Sequence, residues 1–127
     1  NELTWLNWAD ADASLTAFTA ALLRLRRQIP ALQHEGWWQD GSNDVQWFNG
    51  EGQPMTVQRW ERGPQQQLQI LLSDKWLLVL NASERDDGMA LPPGAWVAVD
   101  PFNQDENRPE HGLWHAPARA LCVFARE

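Results

Sequence analysis

His111 and His115 stand four residues apart, the interval that places two imidazoles on one helical face as a zinc pair. Gly112 between them and Pro117 just beyond oppose a helix there. No HExxH pattern is present, and no cysteine or carboxylate completes a ligand set, so no metal is expected. His34 stands alone and reads as a surface residue. The acidic pairs Asp10 with Asp12, Asp86 with Asp87, and Asp105 with Glu106 have the residue type for acid–base work or calcium binding. Each lies in a polar, turn-like stretch without an EF-hand loop, so solvated turns and helix caps are the expected reading. Cys122 sits between Leu121 and Val123 and should behave as an inert buried thiol; as the single cysteine it forms no internal disulfide. Asn81-Ala82-Ser83 matches a glycosylation acceptor but reads as the turn that ends a strand. No Ser-His-Asp set, phosphate-binding loop or dinucleotide fingerprint occurs. No cofactor is expected.

Tryptophan is the other residue type with chemical potential: the chain has nine, and no tyrosine. An indole face can stack on the C–H face of a sugar ring, or it can simply fill a core. Trp37-Trp38 is the best candidate platform. In an extended segment adjacent side chains point to opposite faces, so at most one of the two should face outward. The competing reading is that both cover the joint between a helix and a β domain. Trp47, Trp76 and Trp96 lie in apolar runs and are expected in the core, while Trp60 and Trp114 are left open.

The elements that must position these residues are legible in the hydrophobic pattern. Leu15, Phe18, Leu22, Leu25 and Ile29 recur at intervals of three and four and predict a helix over residues 14–28. Ser14 can cap it, Arg24, Arg26 and Arg27 suit its C-terminal end, and Pro30 stops it. Beyond Pro30 the pattern changes. All eight glycines and seven of the eight prolines follow, separating short apolar runs at 45–48, 55–57, 68–72, 76–80, 89–91, 96–99, 112–114 and 121–124. Leu68, Ile70 and Leu72 alternate with their neighbours as in a half-buried strand. The continuous runs 76–80 and 121–124 predict central strands, the first buried on both faces. Ser73-Asp74-Lys75 suits a hairpin turn, and residues 100–111 an exposed loop. The fold class is therefore mainly β with one major N-terminal helix, an antiparallel β-sandwich.

A net charge of −7 argues against nucleic acid and anionic membrane surfaces as partners. No apolar stretch approaches the roughly 20 residues of a membrane span. The chain of 127 residues begins at Asn1 rather than Met, inside a patterned apolar segment, and reads as cut from a longer protein.

Three blocks carry a family likeness. N-E-L-T-W-L-N-W at 1–8 resembles the segment after the last barrel strand in isoamylase-type glycogen debranching enzymes of the α-amylase superfamily. L-R-L-R-R-Q-I-P-A-L at 23–32 is similar to their next helix, with its Arg-rich, Pro-stopped end. V-Q-W-F-N-G-E-G-Q-P-M-T at 45–56, with Trp60 after it, resembles their Trp-led run followed by Met-Thr and another Trp. The strand blocks and L-P-P-G-A-W at 91–96 extend the likeness to Phe124.

The resemblance implies a parent with a (β/α)8 barrel that hydrolyses α-1,6 branch links in glycogen or limit dextrin. Such enzymes are retaining, with two carboxyl groups about 5–5.5 Å apart. Those residues would lie upstream of Asn1, so no catalytic residue is assigned here. Residues 1–32 would be the end of the barrel, its last loop and helix, and residues 33–127 a C-terminal antiparallel β domain. Because loops at the C-terminal ends of barrel strands line the active site, Asn1, Glu2 and Trp5 are candidates to border the glucan cleft, beside Trp37 and Trp38 as substrate-binding candidates. Anchoring of that loop by packing is the alternative for the first group. The implied partners are α-glucan through the parent, the missing barrel of the same chain, and a second copy through the helix face. The implied location is a bacterial cytoplasm. The rival functions are a stand-alone α-glucan-binding module using exposed Trp, and a domain that attaches to other glycogen enzymes.

Overall fold

A computed structural model describes residues 7–33, 35–38, 44–63 and 65–127. Helix α1 (Ala13–Gln28) is capped by Asp12, whose Oδ1 accepts from the backbone N–H of Ser14 and Leu15 at 2.8 and 3.1 Å. The cap expected at Ser14 is therefore displaced by two residues. The carboxylate reaches two of the free N–H groups of the first turn, and Ser14 donates its hydroxyl to that same carboxylate. The helix ends at Ile29 ahead of Pro30, and a short 3-10 turn (Pro30–Gln33) follows.

Among the described residues, seven strands form two antiparallel sheets. The larger contains β1 (Val45–Asn49), β2 (Gln67–Leu72), β3 (Trp76–Asn81), β5 (Trp96–Ala98) and β7 (Ala120–Arg126), in the order β1-β2-β3-β7-β5; the smaller pairs β4 (Asp87–Ala90) with β6 (Leu113–Ala116). The β2–β3 hairpin turns at Ser73 and Asp74, both at positive φ (50° and 53°). Two left-handed residues in a row give the turn whose twist matches antiparallel strands, and Lys75 N–H closes it on Leu72 O at 3.1 Å.

Register assigns the two faces of the larger sheet. Phe48, Gln69, Leu71, Leu77, Val79, Asn81, Cys122, Phe124, Trp96 and Ala98 share one face, and all are buried. The smaller sheet covers it. The rings of Trp114 and Phe124 meet edge-on at 5.7 Å, and Gln69 Nε2 donates to Ala90 O of β4 at 2.7 Å. Asn81 Nδ2 donates to Pro117 O at 2.8 Å, just beyond β6. The opposite face carries Trp47, Ile70, Leu78 and Val123 in one cross-strand row. It is only partly covered: Leu72 and Val123 are buried, Ile70, Trp76, Leu78 and Leu80 half-buried, and Leu121 exposed. Leu25 of α1 and Ile29 at its C-terminal cap belong to the same continuous core cluster.

The antiparallel β architecture with one principal helix matches the sequence expectation, with four local corrections. The strand 76–80 is central but alternates between buried and half-buried residues, because only one sheet face is sealed. For the same reason Trp47 and Trp76, expected in the core, are half-buried, whereas Trp96 is buried. The run at 55–57 is not a strand: Pro54 makes an isolated bridge to Phe48, and Val57 opens a short helix, α2 (Val57–Glu61), capped by Thr56. The polar loop at 100–111 is not wholly exposed, since Phe102 is buried and meets Phe18 edge-on at 6.1 Å. A 3-10 turn (Asp105–Asn107) positions Asn107 Oδ1 to accept from Trp114 Nε1 at 3.2 Å.

Candidate functional site

The titratable residues do not converge. Among the described residues no group of three or more His, Cys, Asp or Glu side chains could hold a metal ion. His111 lies in a turn at φ 50°, and His115 faces out of β6 between buried Trp114 and Ala116. His34 lies outside the described residues. The acidic pairs serve local geometry. Asp86 Oδ1 accepts from Ala118 N–H at 2.9 Å, Asp87 Oδ2 from Gln67 Nε2 at 2.9 Å, and Asp105 and Glu106 occupy the first turn of a 3-10 helix. The hydrogen bonds that Asp12 accepts from the Ser14 hydroxyl and the Leu15 and Ser14 backbone hold its carboxyl below the ordinary value of 3.8.

Cys122 is buried and unpaired. Burial pushes its thiol up to about 12, against a smaller opposing pull from the Val123 backbone. Asn81 is buried too, with its amide fully used: Nδ2 donates to Arg85 O at 2.9 Å and Pro117 O at 2.8 Å, while Oδ1 accepts from Ser83 N–H and Oγ. The acceptor-like triplet is thus a strand-ending turn, as its sequence suggested.

What the fold does bring together is indole. Asn1, Glu2 and Trp5 lie outside the described residues. Trp37 is 96% exposed and Trp38 38% exposed, so the pair divides into one outward ring and one packed ring. Trp38 meets Trp47 of β1 at 6.4 Å and 64° between ring planes, and Trp47 meets Trp60 of α2 at 5.9 Å and 72°. Trp60 is 46% exposed. The positioning is local. Asn49 Oδ1 accepts from Glu51 and Gln53 N–H at 3.1 and 2.8 Å, folding the chain back after β1. Gly52 sits at φ 72° in this turn, where an added Cβ would lie 2.8 Å from Ala90 O. Met55 N–H then bonds Trp47 O at 2.8 Å, and Thr56 Oγ1 accepts from Arg59 N–H to start α2. One turn of helix carries Trp60 back over Trp47.

Trp60 and Trp47 are the members that sequence reasoning missed as part of a surface. The available signal was strand parity. Adjacent Trp47 and Phe48 must point to opposite faces of β1, and it is Phe48 that the fold seals. A separate polar groove of about 610 Å³ lies at the ends of β1 and β2, lined by Asn49, Glu51, Gln65, Gln67, Arg85 and Asp87 among others.

Comparison with known proteins places the chain. Residues 39–124 match the family described as the glycogen debranching enzyme C-terminal domain. The chain is 50% identical over 127 residues to a glycogen debranching enzyme of Serratia proteamaculans, covering 100% of this chain and 19% of that protein. It is 52% identical over the same span to that of Pectobacterium carotovorum, again 19% of its length, and 50% identical over 126 residues to that of Klebsiella pneumoniae. The chain spans about a fifth of the curated relatives it matches. It belongs to the glycogen debranching enzyme C-terminal domain family.

Proposed function

We propose that this chain is an accessory, stabilising C-terminal region of an enzyme that hydrolyses α-1,6 branch links in glycogen or limit dextrin. The chemistry of that enzyme lies in the rest of its chain, and this region by itself is inactive. Residues 1–32 end the catalytic barrel, and residues 33–127 form the β domain that closes on it. Asn1, Glu2 and Trp5 then border the glucan cleft. The protein works in a bacterial cytoplasm, where Cys122 stays a reduced thiol.

The observation that carries this reading is the divided face of α1. Leu25 and Ile29 are buried in the core cluster, while Phe18 (41%) and Leu15 (60%), about two and three turns before Leu25 on the same face, are exposed. An apolar stripe that stays this exposed over the first half of a helix, with Phe18 keeping an edge contact to Phe102, indicates a packing surface for something else. With relatives about five times longer, the remainder of the same chain is the natural cover, and in its absence a second copy can take that place.

Two measurements test this. The 127-residue protein incubated with phosphorylase limit dextrin should release no maltooligosaccharide; release would overturn the reading. In the longer parent protein, Leu15→Ser and Phe18→Ser should each destabilise by about 2 kcal/mol, the scale of exposing one buried apolar side chain. Unchanged melting of both variants would show that the stripe has no partner in the parent.

A further inference from the structure

We propose that Trp38 and Trp60, both set edge-to-face against Trp47, form a surface site that binds a linear α-glucan segment. The inference rests on the proposed parent activity for the identity of the ligand, and on the geometry of the indoles for the site.

Trp47 meets both neighbours edge-to-face, an arrangement aromatic rings favour and that fixes their inclination. Trp38 and Trp60 each keep more than a third of their surface open. The chain therefore holds two partly exposed indoles against one shared ring, with Trp37, next to Trp38 in sequence, almost fully exposed. Indole faces suit the apolar C–H faces of successive glucose units, which need planar surfaces at defined inclinations rather than a closed pocket.

The rim supplies hydrogen-bonding groups for hydroxyls. The Arg59 guanidinium, one residue before Trp60, donates to Gln53 Oε1 at 2.8 Å and to Pro54 O. It is thus held in place against the turn that precedes α2. The exposed face of α1 has a different chemistry. Leu15 and Phe18 offer aliphatic and phenyl surface with the plain N-terminal turns of a helix around them, which suits protein packing. The two surfaces have different tasks on this view, and a neutral polyol ligand is indifferent to the net charge of −7.

The test uses the protein as it stands, run through native gels containing glycogen and titrated with maltoheptaose while tryptophan emission is followed. Wild type should be retarded by glycogen and give a saturating emission change. Trp60→Ala and Trp38→Ala should each weaken both responses about fivefold to tenfold. Trp60→Phe should retain most of the retardation, and Phe18→Ser all of it. Far-UV circular dichroism confirms that each variant is folded; Trp60→Phe keeps the test decisive if an alanine variant is not.

The proposal is overturned if wild type is not retarded, or if folded Trp60→Ala and Trp38→Ala bind as well as wild type. It is overturned too if those variants leave binding intact but lower the melting temperature of the longer parent as Phe18→Ser does, since the indoles would then be a domain contact. Any of these results leaves the accessory role of the chain standing. Hydrolysis of limit dextrin by this chain would instead remove that role and leave the indole site to be judged on its own binding data.

Discussion

Cys122 shows how far one side chain's environment decides its chemistry. It lies on the sealed face of the larger sheet beside Phe124, with no exposed surface. Burial disfavours the thiolate, so the thiol rises from 9.0 to about 12. Native protein should therefore resist alkylation by iodoacetamide at mildly alkaline pH, and react promptly once denatured; fast labelling of the folded chain would contradict its placement. The linkage has a definite sign. Between pH 9 and 12 the unfolded chain releases this proton while the folded chain keeps it. Folding stability contributed by the neutral thiol is thus intact below pH 9 and declines as the pH climbs through that window. Asn81 is the polar counterpart, a buried amide whose donors and acceptor are all matched. Removing it would untie the Arg85 and Pro117 carbonyls and the Ser83 N–H from the end of β3.

For the elements, the beginning of α1 matters most, because its first turns have little tertiary support. Residues 13 to 19 are exposed, so the Asp12 cap and helix propensity hold them. Asp12→Ala should lower helical ellipticity and melting temperature near neutral pH. The carboxyl's folded value lies below 3.8, so its contribution is present above 3.8 and is lost as pH falls through the lower folded value. The gap between wild type and Asp12→Ala, followed by circular dichroism, should close over that acidic range; a gap that persists would mean the carboxylate is not the cap. Helix α2 shows the converse. Its five residues are too few to be stable alone, and it persists because the Thr56 cap, the Arg59 contacts and the packing of Trp60 on Trp47 act together.

At the scale of the whole molecule, the two sheets are tied through few residues of large consequence. Trp114 reaches from the smaller sheet to Phe124 of the larger one and to Asn107 of the polar loop. Trp114→Ala should cost about 3–5 kcal/mol, the range for deleting a buried indole. A domain's whole stability is only about 5–15 kcal/mol, so a large part of it depends on this ring. Urea unfolding followed by far-UV circular dichroism and by tryptophan emission should still coincide, as one cooperative core requires. Separated transitions would show that the sheets unfold independently. The exposed ion pairs Arg119–Glu84 and Arg126–Asp74 add little beside this.

Local pattern was enough for much of the outcome. The stripe from Leu15 to Ile29 and the stop at Pro30 specify α1 to within one residue. The run at 67–72 specifies β2 and Ser73-Asp74-Lys75 its turn into β3, but the parity is the reverse of the one expected: Gln69 and Leu71 face the sealed core, whereas Leu68 and Ile70 are half-buried on the open face. The family likeness rests on quoted blocks that span most of the chain. These features depend on neighbours a few residues apart, where periodicity and turn chemistry act. The sequence alone did not reveal which face of the larger sheet would be sealed, because that depends on β4 and β6 arriving from distant positions to cover one side. Hence Trp76 and Trp47 read as core but are half-buried, and Phe102 reads as loop but is buried. The indole surface is likewise a tertiary product. Trp38, Trp47 and Trp60 lie 9 and 13 residues apart in sequence, beyond the reach of helix or strand periodicity, and Trp60 meets Trp47 only after the turn at Asn49–Gln53 and the short helix fold the chain back over β1. Periodicity settles what a segment becomes, whereas the long-range packing of segments settles which side of it meets water.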